Sequence, residues 1–215
     1  MAPATTLRVA DSAIFVCDIQ EKFRNAIHEF DKVILTSRKV LRAAAILDIP
    51  VVVTTQNRAR LGDTVPELSS LYAADPASSG GDKKAKLIID ADKTLFSMWT
   101  PEVKKAFAAE SAPTTAVIVG IESHICVTQT ALDMLAAGYR VYVIADGVSS
   151  SNREEVPVAL ARLRAAGATV TTSESWMYET MGDSSIPAFR NIISLVKDTS
   201  ADTKVALSSL LSSKI

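Results

Sequence analysis

The chain has 215 residues, of which 48% are hydrophobic and 22% charged, and its 23 basic and 24 acidic side chains give a net charge of −1. This balance excludes an overall electrostatic attraction to nucleic acid or to an anionic membrane. No apolar stretch approaches membrane-spanning length, and residues 1–8 lack the apolar segment of a secretory signal. Two cysteines are too few for a disulfide framework, so we expect a reducing, cytoplasmic environment.

The first half of the chain begins with a continuous apolar run at 13–17, which is typical of a strand buried on both faces. Apolar residues at helical spacing follow over 31–47, and 51–55 has the pattern of a second strand. Residues 56–86 are rich in Ser, Gly, Pro and Asp. They predict a long loop with at most a short helix near 66–72, and long loops are often functional. A third short strand is predicted at 87–89.

The second half continues this alternation. Thr100 and Pro101 have the N-cap and N1 pattern that opens a helix, here to about 109. We then predict a strand at 115–119, a helix at 127–137, a strand at 140–145, a helix at 154–166 and a strand at 168–171. Helices near Trp176 and at 188–196 precede a Ser/Lys-rich tail that we expect to fray.

Six strands that alternate with helices predict a single domain over 1–215, with its core at about 13–197 and a tail at 198–215. The expected fold is a three-layer α/β/α sandwich around a six-stranded parallel, Rossmann-like sheet. In such sheets function collects beyond the carboxyl ends of the strands.

Three polar residues stand at such strand ends. Asp18 follows the first strand, Lys93 lies just beyond the third, and Cys126 comes after the fourth, where a helix begins. Unpaired N–H groups and the helix dipole favour a thiolate at a helix N-terminus, although packing of Cys126 in the core is an alternative. Asp18 can accept the thiol proton, Lys93 can hold the carboxylate, and N–H groups around Glu122 can stabilise an oxyanion.

Other polar residues in these regions have simpler interpretations. Asp146 follows the fifth strand and has the pattern of a turn residue that caps the next helix. The two histidines are His28, in a polar stretch, and His124, in a first helical turn where a surface position is favoured.

Together these segments resemble the isochorismatase-like hydrolases, also called cysteine hydrolases, from about 13 to 196. The matching motifs are Asp18-x-Gln20-x-x-Phe23, Lys93 ahead of Phe96-Ser97-Met98-Trp99, and Gly120-Ile121-Glu122 ahead of Cys126. Within the family, the chain is most similar to the isochorismatase domain-containing subgroup.

The resemblance implies that Asp18, Lys93 and Cys126 form a triad that hydrolyses an amide-like C–N bond of a small molecule through a thioester. It also implies a cis peptide bond between Ile121 and Glu122, which would direct the N–H groups of Glu122 and Cys126 towards one point. The protein is expected to be a homo-oligomer, a dimer or a tetramer. The residues expected to line the substrate pocket are Gln20, Phe23, Gln56 and Trp99, with core packing as the alternative for the two aromatic side chains.

One departure from the family concerns metal binding. Nicotinamidases of this family bind a metal through an Asp-x-His pair and further histidines after the second strand, whereas residues 54–62 contain no histidine. We therefore expect neither a metal nor another cofactor. Vinyl-ether hydrolysis of the isochorismatase type does not require the cysteine and stays open.

Two other functions also stay open. Some relatives carry a mitochondrial-associated ribonuclease label, but the near-neutral charge and the lack of a basic stripe with interleaved aromatics oppose nucleic-acid binding. A non-catalytic interaction protein on the same fold is the other alternative.

The ending Ser213-Lys214-Ile215 is similar to a peroxisomal signal, so a peroxisome-like organelle or the mitochondrion is the alternative to the cytoplasm.

Overall fold

A parallel sheet forms the centre of the structure, a computed structural model that describes residues 9, 11–74, 83–107 and 113–211. In these ranges the sheet has seven strands in the order β3-β4-β2-β1-β5-β6-β7. The strands are β1 (Ser12–Cys17), β2 (Val51–Gln56), β3 (Tyr72–Ala73), β4 (Ala85–Lys93), β5 (Thr115–Ile121), β6 (Arg140–Ser149) and β7 (Thr169–Thr171).

Helices cover both faces of this sheet. They are α1 (Phe30–Leu47), α2 (Arg58–Leu61), α3 (Pro66–Ser69), α4 (Pro101–Ala106), α5 (Thr128–Ala136), α6 (Glu155–Ala165), α7 (Ser173–Met181), α8 (Phe189–Asp198) and α9 (Ser200–Leu211). A 3-10 turn at Glu21–Phe23 follows β1, and a π-helical turn at Ser123–Val127 precedes α5.

The core consists of two apolar clusters, one on each face of the sheet. Ile14 and Val16 of β1 pack with α1, α7 and α8, whereas Phe15 and Cys17 pack with α4, α5 and α6. Successive strand residues point to opposite faces, so a continuous apolar run is needed where both faces are covered. This arrangement confirms the predicted three-layer α/β/α fold.

The number of strands differs from the prediction, because the sheet has seven strands and not six. The additional strand is β3, which has two residues and pairs with the start of β4 inside the region predicted to be a loop. So short an edge strand has too few residues to show an alternating pattern. β4 also starts earlier and ends later than predicted, and Lys93 is its last residue.

The tail after residue 197 also differs from the prediction, because 200–211 form α9 instead of fraying. Thr203 and Ala206 are buried, and the Thr203 hydroxyl accepts a hydrogen bond from the Lys39 ammonium of α1 at 2.8 Å. The helix therefore depends on contacts with α1. Residues 213–215, which resemble a targeting signal, lie outside the described residues. No helix in the described ranges has both the length and the apolar character needed to cross a membrane.

Strand register brings four strand ends to one place. Cys17 lies level with Thr54 of β2 and with Gly120 of β5, and Gln56 lies level with Lys93 of β4. Because these strands are parallel neighbours, the segments that follow them emerge at the same edge.

Candidate active site

A buried ion pair between Asp18 and Lys93 occupies this edge of the sheet. The two side chains are each 1% exposed, and the Lys93 Nζ lies 2.7 Å from the Asp18 Oδ2. Thr54 on the intervening strand donates its hydroxyl to the other carboxylate oxygen at 2.8 Å. Both oxygens of the buried carboxylate therefore have a hydrogen-bond partner, which offsets the loss of hydration.

The Lys93 ammonium has further partners in the protein. It donates to the Gln56 Oε1 at 2.7 Å and to the carbonyl oxygens of Leu95 and Phe96, each at 3.1 Å. Burial by itself would lower the pKa of Lys93, but the negative charges of Cys17, Asp18 and Cys126 in their ionised forms raise it above its usual value. Lys93 is therefore a fixed cation at neutral pH and not a base.

Cys126 lies in the π-helical turn between β5 and α5, and it is buried. The helix predicted at 127–137 begins one residue later in the structure, because α5 starts at Thr128 after this turn. The Thr130 hydroxyl donates to the Cys126 carbonyl oxygen at 2.6 Å and accepts from the Met98 N–H at 2.9 Å. Thr130 thus connects the turn that carries Cys126 to the segment that follows Lys93.

Cys17 is part of this group, although the sequence analysis placed it only in the core. Its Sγ lies 3.8 Å from the Asp18 Oδ2. Burial raises the pKa of the Cys17 thiol well above its usual value, and the neighbouring Cys126 thiol and the charge of Asp18 act in the same direction. Because Cys126 influences Cys17 in this way, the two thiols lie near each other at this edge of the sheet.

A change in backbone direction explains why Cys17 was missed. Neighbouring residues of a strand point to opposite faces, so Cys17 and Asp18 would be separated in a regular strand. Asp18 has a φ of +52°, in the left-handed region, and the chain turns there so that both side chains lie on one side. Asp tolerates this conformation better than most residues. The available signal was that both cysteines occur near the ends of strands.

The turn after β5 depends on a close approach between two main chains. Gly120 has a φ of +121°, and a Cβ at this position would lie 2.1 Å from the Cys17 carbonyl oxygen. The next peptide bond, between Ile121 and Glu122, is cis. The Glu122 carboxylate accepts a hydrogen bond from the Ser151 N–H at 2.7 Å, which connects the turn to the segment after β6.

The predicted pocket residues Gln20 and Gln56 lie together beside the ion pair. Gln20 is fully buried, and its amide nitrogen donates to the carbonyl oxygens of Gln56 and Gly62 at 3.2 and 2.6 Å. Its oxygen accepts from the Gln56 N–H at 2.7 Å. Gln20 therefore holds the end of β2 in place, and Gln56 presents its own oxygen to Lys93.

The predicted aromatic pocket residues lie in different layers. Trp99 is 9% exposed and makes edge contacts with Phe107 and Tyr139 at centroid distances of 5.7 and 5.0 Å. Phe23 is half-buried and packs against the cluster on the α1 face. Both side chains thus make core contacts. Leu95 and Phe96, whose carbonyl oxygens accept from Lys93, are 55% and 51% exposed.

The remaining predicted polar residues have hydrogen-bond partners within the protein. His124 is half-buried, and its Nδ1 lies 2.9 Å from the Ser150 Oγ. The main-chain N–H of His28 donates to the Ser150 carbonyl oxygen. Asp146 is fully buried inside β6 and not in a turn. Its carboxylate accepts from the N–H and the hydroxyl of Ser173 at 2.7 and 2.6 Å. It therefore holds the start of α7 and not the next helix in the chain.

In the described ranges, no group of three or more His, Cys, Asp or Glu side chains is arranged to hold a metal ion. The groups at the strand ends are a carboxylate, an ammonium and two thiols. This set can supply a nucleophile, a proton acceptor and a fixed positive charge.

Comparison with known proteins agrees with this architecture. The family model for the isochorismatase domain matches residues 12–175. The chain belongs to the isochorismatase family. A family relative, isochorismatase domain-containing protein 2 of Xenopus laevis, is 37% identical over 192 residues, which cover 89% of this chain and 86% of that protein. This likeness also supports the predicted subgroup.

Two further family comparisons extend this result. The secreted isochorismatase effector Isc1 of Phytophthora sojae is 40% identical over 188 residues, which cover 87% of this chain and 85% of that protein. The solved structure of the MAR1 ribonuclease from Caenorhabditis elegans superposes with a TM-score of 0.77 at 36% identity. The superposition covers 89% of this chain and 92% of the ribonuclease chain. The likenesses span most of the chain in each case.

Proposed function

We propose that this protein is a cysteine hydrolase that cleaves a C–N bond of a small amide-like molecule without a metal ion. The observation that carries this proposal is the buried Asp18–Lys93 ion pair, at 2.7 Å, beside the thiols of Cys17 and Cys126. A buried ion pair adds little stability compared with apolar side chains of the same size, because both charges lose their hydration. Its position next to two thiols therefore favours a chemical role over a structural one.

The proposed reaction begins at the Cys126 sulfur, which attacks the substrate carbonyl carbon. Asp18 accepts the thiol proton and returns it to the departing amine, so that a thioester and an amine are formed. A water molecule then hydrolyses the thioester and releases the carboxylic acid and the free thiol. We assign the nucleophilic role to Cys126 and not to Cys17 because Cys126 is the more exposed of the two, at 7% against 0%. It also lies in the turn that follows β5.

Lys93 positions the Asp18 carboxylate and stabilises the negative charge that develops at the sulfur. Its contacts with Gln56 and with two main-chain carbonyl oxygens fix the ammonium in this orientation. The N–H groups of Glu122 and Cys126 are the proposed donors to the oxyanion of the tetrahedral intermediate.

The first test is alkylation by iodoacetamide, followed by intact-mass measurement. The wild-type protein and Cys17→Ala are expected to gain one adduct, and Cys126→Ala none. Asp18→Asn and Lys93→Met are expected to slow alkylation about tenfold or more, because the thiolate loses its base or its cation. Lys105→Met, at an exposed lysine of α4, is the matched control and should react like the wild type.

The second test is release of ammonia or amine from a panel of small primary amides and related C–N compounds. Turnover of any compound found should be lost in Cys126→Ala and Asp18→Asn. Full turnover in either variant, or an adduct that forms on Cys17 instead of Cys126, would contradict the proposed mechanism.

A second candidate function is RNA hydrolysis, which is favoured by the description of the C. elegans relative as a ribonuclease. The net charge of −1 gives RNA no overall electrostatic attraction. A labelled RNA incubated with highly purified protein distinguishes the two functions. Cleavage that disappears in both Cys126→Ala and Asp18→Asn would support RNA hydrolysis, whereas cleavage that survives in both would indicate a contaminating nuclease.

A further inference from the structure

A cavity of about 360 Å³ lies between α6, β7 and the end of α9. Its lining contains none of Asp18, Lys93 and Cys126, so it is separate from the candidate active site. The volume falls in the range of small-molecule sites, roughly 300–1,000 Å³. Neither the proposed reaction nor the family comparison uses this cavity.

The walls of the cavity are mainly apolar. The apolar lining residues include Val156 and Leu160 of α6, Val170 of β7, and Leu210 and Leu211 of α9. α6 and β7 follow one another in the chain, whereas the end of α9 is distant in the sequence and joins them only in the folded chain. An apolar cavity that the protein does not fill offers a binding surface to the aliphatic or aromatic part of a ligand.

Two arginines, Arg153 and Arg164, add positive charge to this lining. Arg153 lies in the turn that precedes α6, and Arg164 lies in the last turn of this helix. Neither makes an ion pair with a carboxylate among the described residues, unlike Arg24, which pairs with Glu21 and Glu67.

His28 is a third polar residue of the lining. Its Nε2 is buried and has no hydrogen-bond partner in the described part of the chain. Buried polar atoms are normally paired, so this wall contains a polar group whose bonding the protein leaves incomplete.

We propose that this cavity binds an amphipathic organic anion, namely a monocarboxylate with an aliphatic chain. The carboxylate would pair with Arg153 or Arg164, because a guanidinium presents two parallel N–H donors to a carboxylate. The chain would lie against Val156, Leu160 and Val170. The charge excludes an aliphatic amine as the preferred ligand, and the apolar walls disfavour a small inorganic anion.

Octanoate is the probe, with octan-1-ol as the uncharged comparison, and binding is measured by isothermal titration calorimetry on the full chain. Cys126 is first blocked with iodoacetamide, so that covalent or competing binding at the candidate active site is removed. Octanoate is expected to bind saturably with one site, and about tenfold more tightly than octan-1-ol, because a charge-assisted hydrogen bond is lost in the alcohol.

Arg153→Ala combined with Arg164→Ala should weaken octanoate binding about tenfold. Arg162→Ala combined with Arg190→Ala removes the same charge from exposed positions outside the lining and should leave binding unchanged. Ala161→Trp fills the cavity and should abolish binding. Thermal unfolding of each variant verifies that the fold is retained, and amide chemical shifts of α6 and β7 should change with octanoate.

The proposal is overturned if octanoate shows no saturable binding, or if both double variants lose affinity equally. It is also overturned if octanoate shifts only the amides of the turn at 123–127, since the ligand would then occupy the candidate active site. These results leave the alkylation of Cys126 unaffected, so the two proposals fail independently.

Discussion

At the scale of single residues, the site depends on backbone conformations that bring side chains to the same side. Asp18 has a positive φ, which places its carboxylate beside the Cys17 sulfur and within 2.7 Å of the Lys93 ammonium. Gly120 lets β5 approach the Cys17 carbonyl oxygen closely. A side chain at position 120 would therefore disturb the geometry without touching any group assigned to the reaction.

Gly120→Ala is expected to lower the free energy of unfolding by about 3 kcal/mol or more and to abolish Cys126 alkylation. The reason is that its Cβ would lie 2.1 Å from the main-chain oxygen of Cys17, which has no room to move in the sheet. Urea unfolding and intact-mass measurement provide the readouts.

Gly138→Ala is the matched control for this substitution. Gly138 also has a positive φ, of +85°, but nothing lies within 4 Å of a Cβ there. The control should therefore lose only about 1–2 kcal/mol, from the conformational strain itself. Equal losses of unfolding free energy in the two variants would show that the close approach to Cys17 is not what requires glycine at position 120.

At the scale of elements, the connection between β6 and α7 rests on a fully buried carboxylate. Both oxygens of Asp146 accept hydrogen bonds from Ser173, the first residue of α7. Burial raises the pKa of Asp146, although the hydrogen bonds from Ser173 act in the opposite direction. The carboxylate joins two elements that a sequence pattern does not connect.

The raised pKa of Asp146 predicts how stability depends on pH. The folded protein holds this proton more tightly than the unfolded chain, so the contribution of Asp146 is complete below about 3.9 and decreases as pH rises through the raised value. The unfolding free energy of the wild type minus that of Asp146→Asn should therefore fall as pH rises above the unfolded value of about 3.9. Urea unfolding of both proteins at several pH values measures this difference.

Asp183→Asn is the control with the opposite sign. The hydrogen bond from the Ser185 N–H lowers the pKa of Asp183, so its contribution is present above the unfolded value and is lost as pH falls. A wild-type-minus-variant difference that rises with pH for Asp146→Asn would contradict the expected effect of burial.

Two elements show why the sequence pattern was incomplete. β3 has only two residues, and α9 has a Ser-rich sequence without a strong apolar stripe. β3 is stabilised by its pairing with β4, and α9 by its contacts with α1, and not by local propensity. By contrast, the long apolar runs of β1, β2 and β5 were predicted close to their observed bounds.

At the scale of the whole molecule, we expect a homo-oligomer, as the family resemblance implies. Light scattering coupled to size-exclusion chromatography should give a mass two or four times that of the 23.0 kDa chain. The measurement is made over a range of protein concentrations, because association depends on concentration. A monomeric mass at every concentration would contradict this expectation.

The sequence by itself determined the alternation of strands and helices, the parallel sheet and the strand-end positions of Asp18, Lys93 and Cys126. These features depend on local periodicity and on the rule that parallel strands share one functional edge. Only the tertiary structure decided that Cys17 lies beside Cys126, that Gln20 holds the main chain, and that Asp146 binds the start of α7. It alone showed the cavity with Arg153 and Arg164. Such contacts depend on backbone turns and on residues distant in sequence, which periodicity does not record.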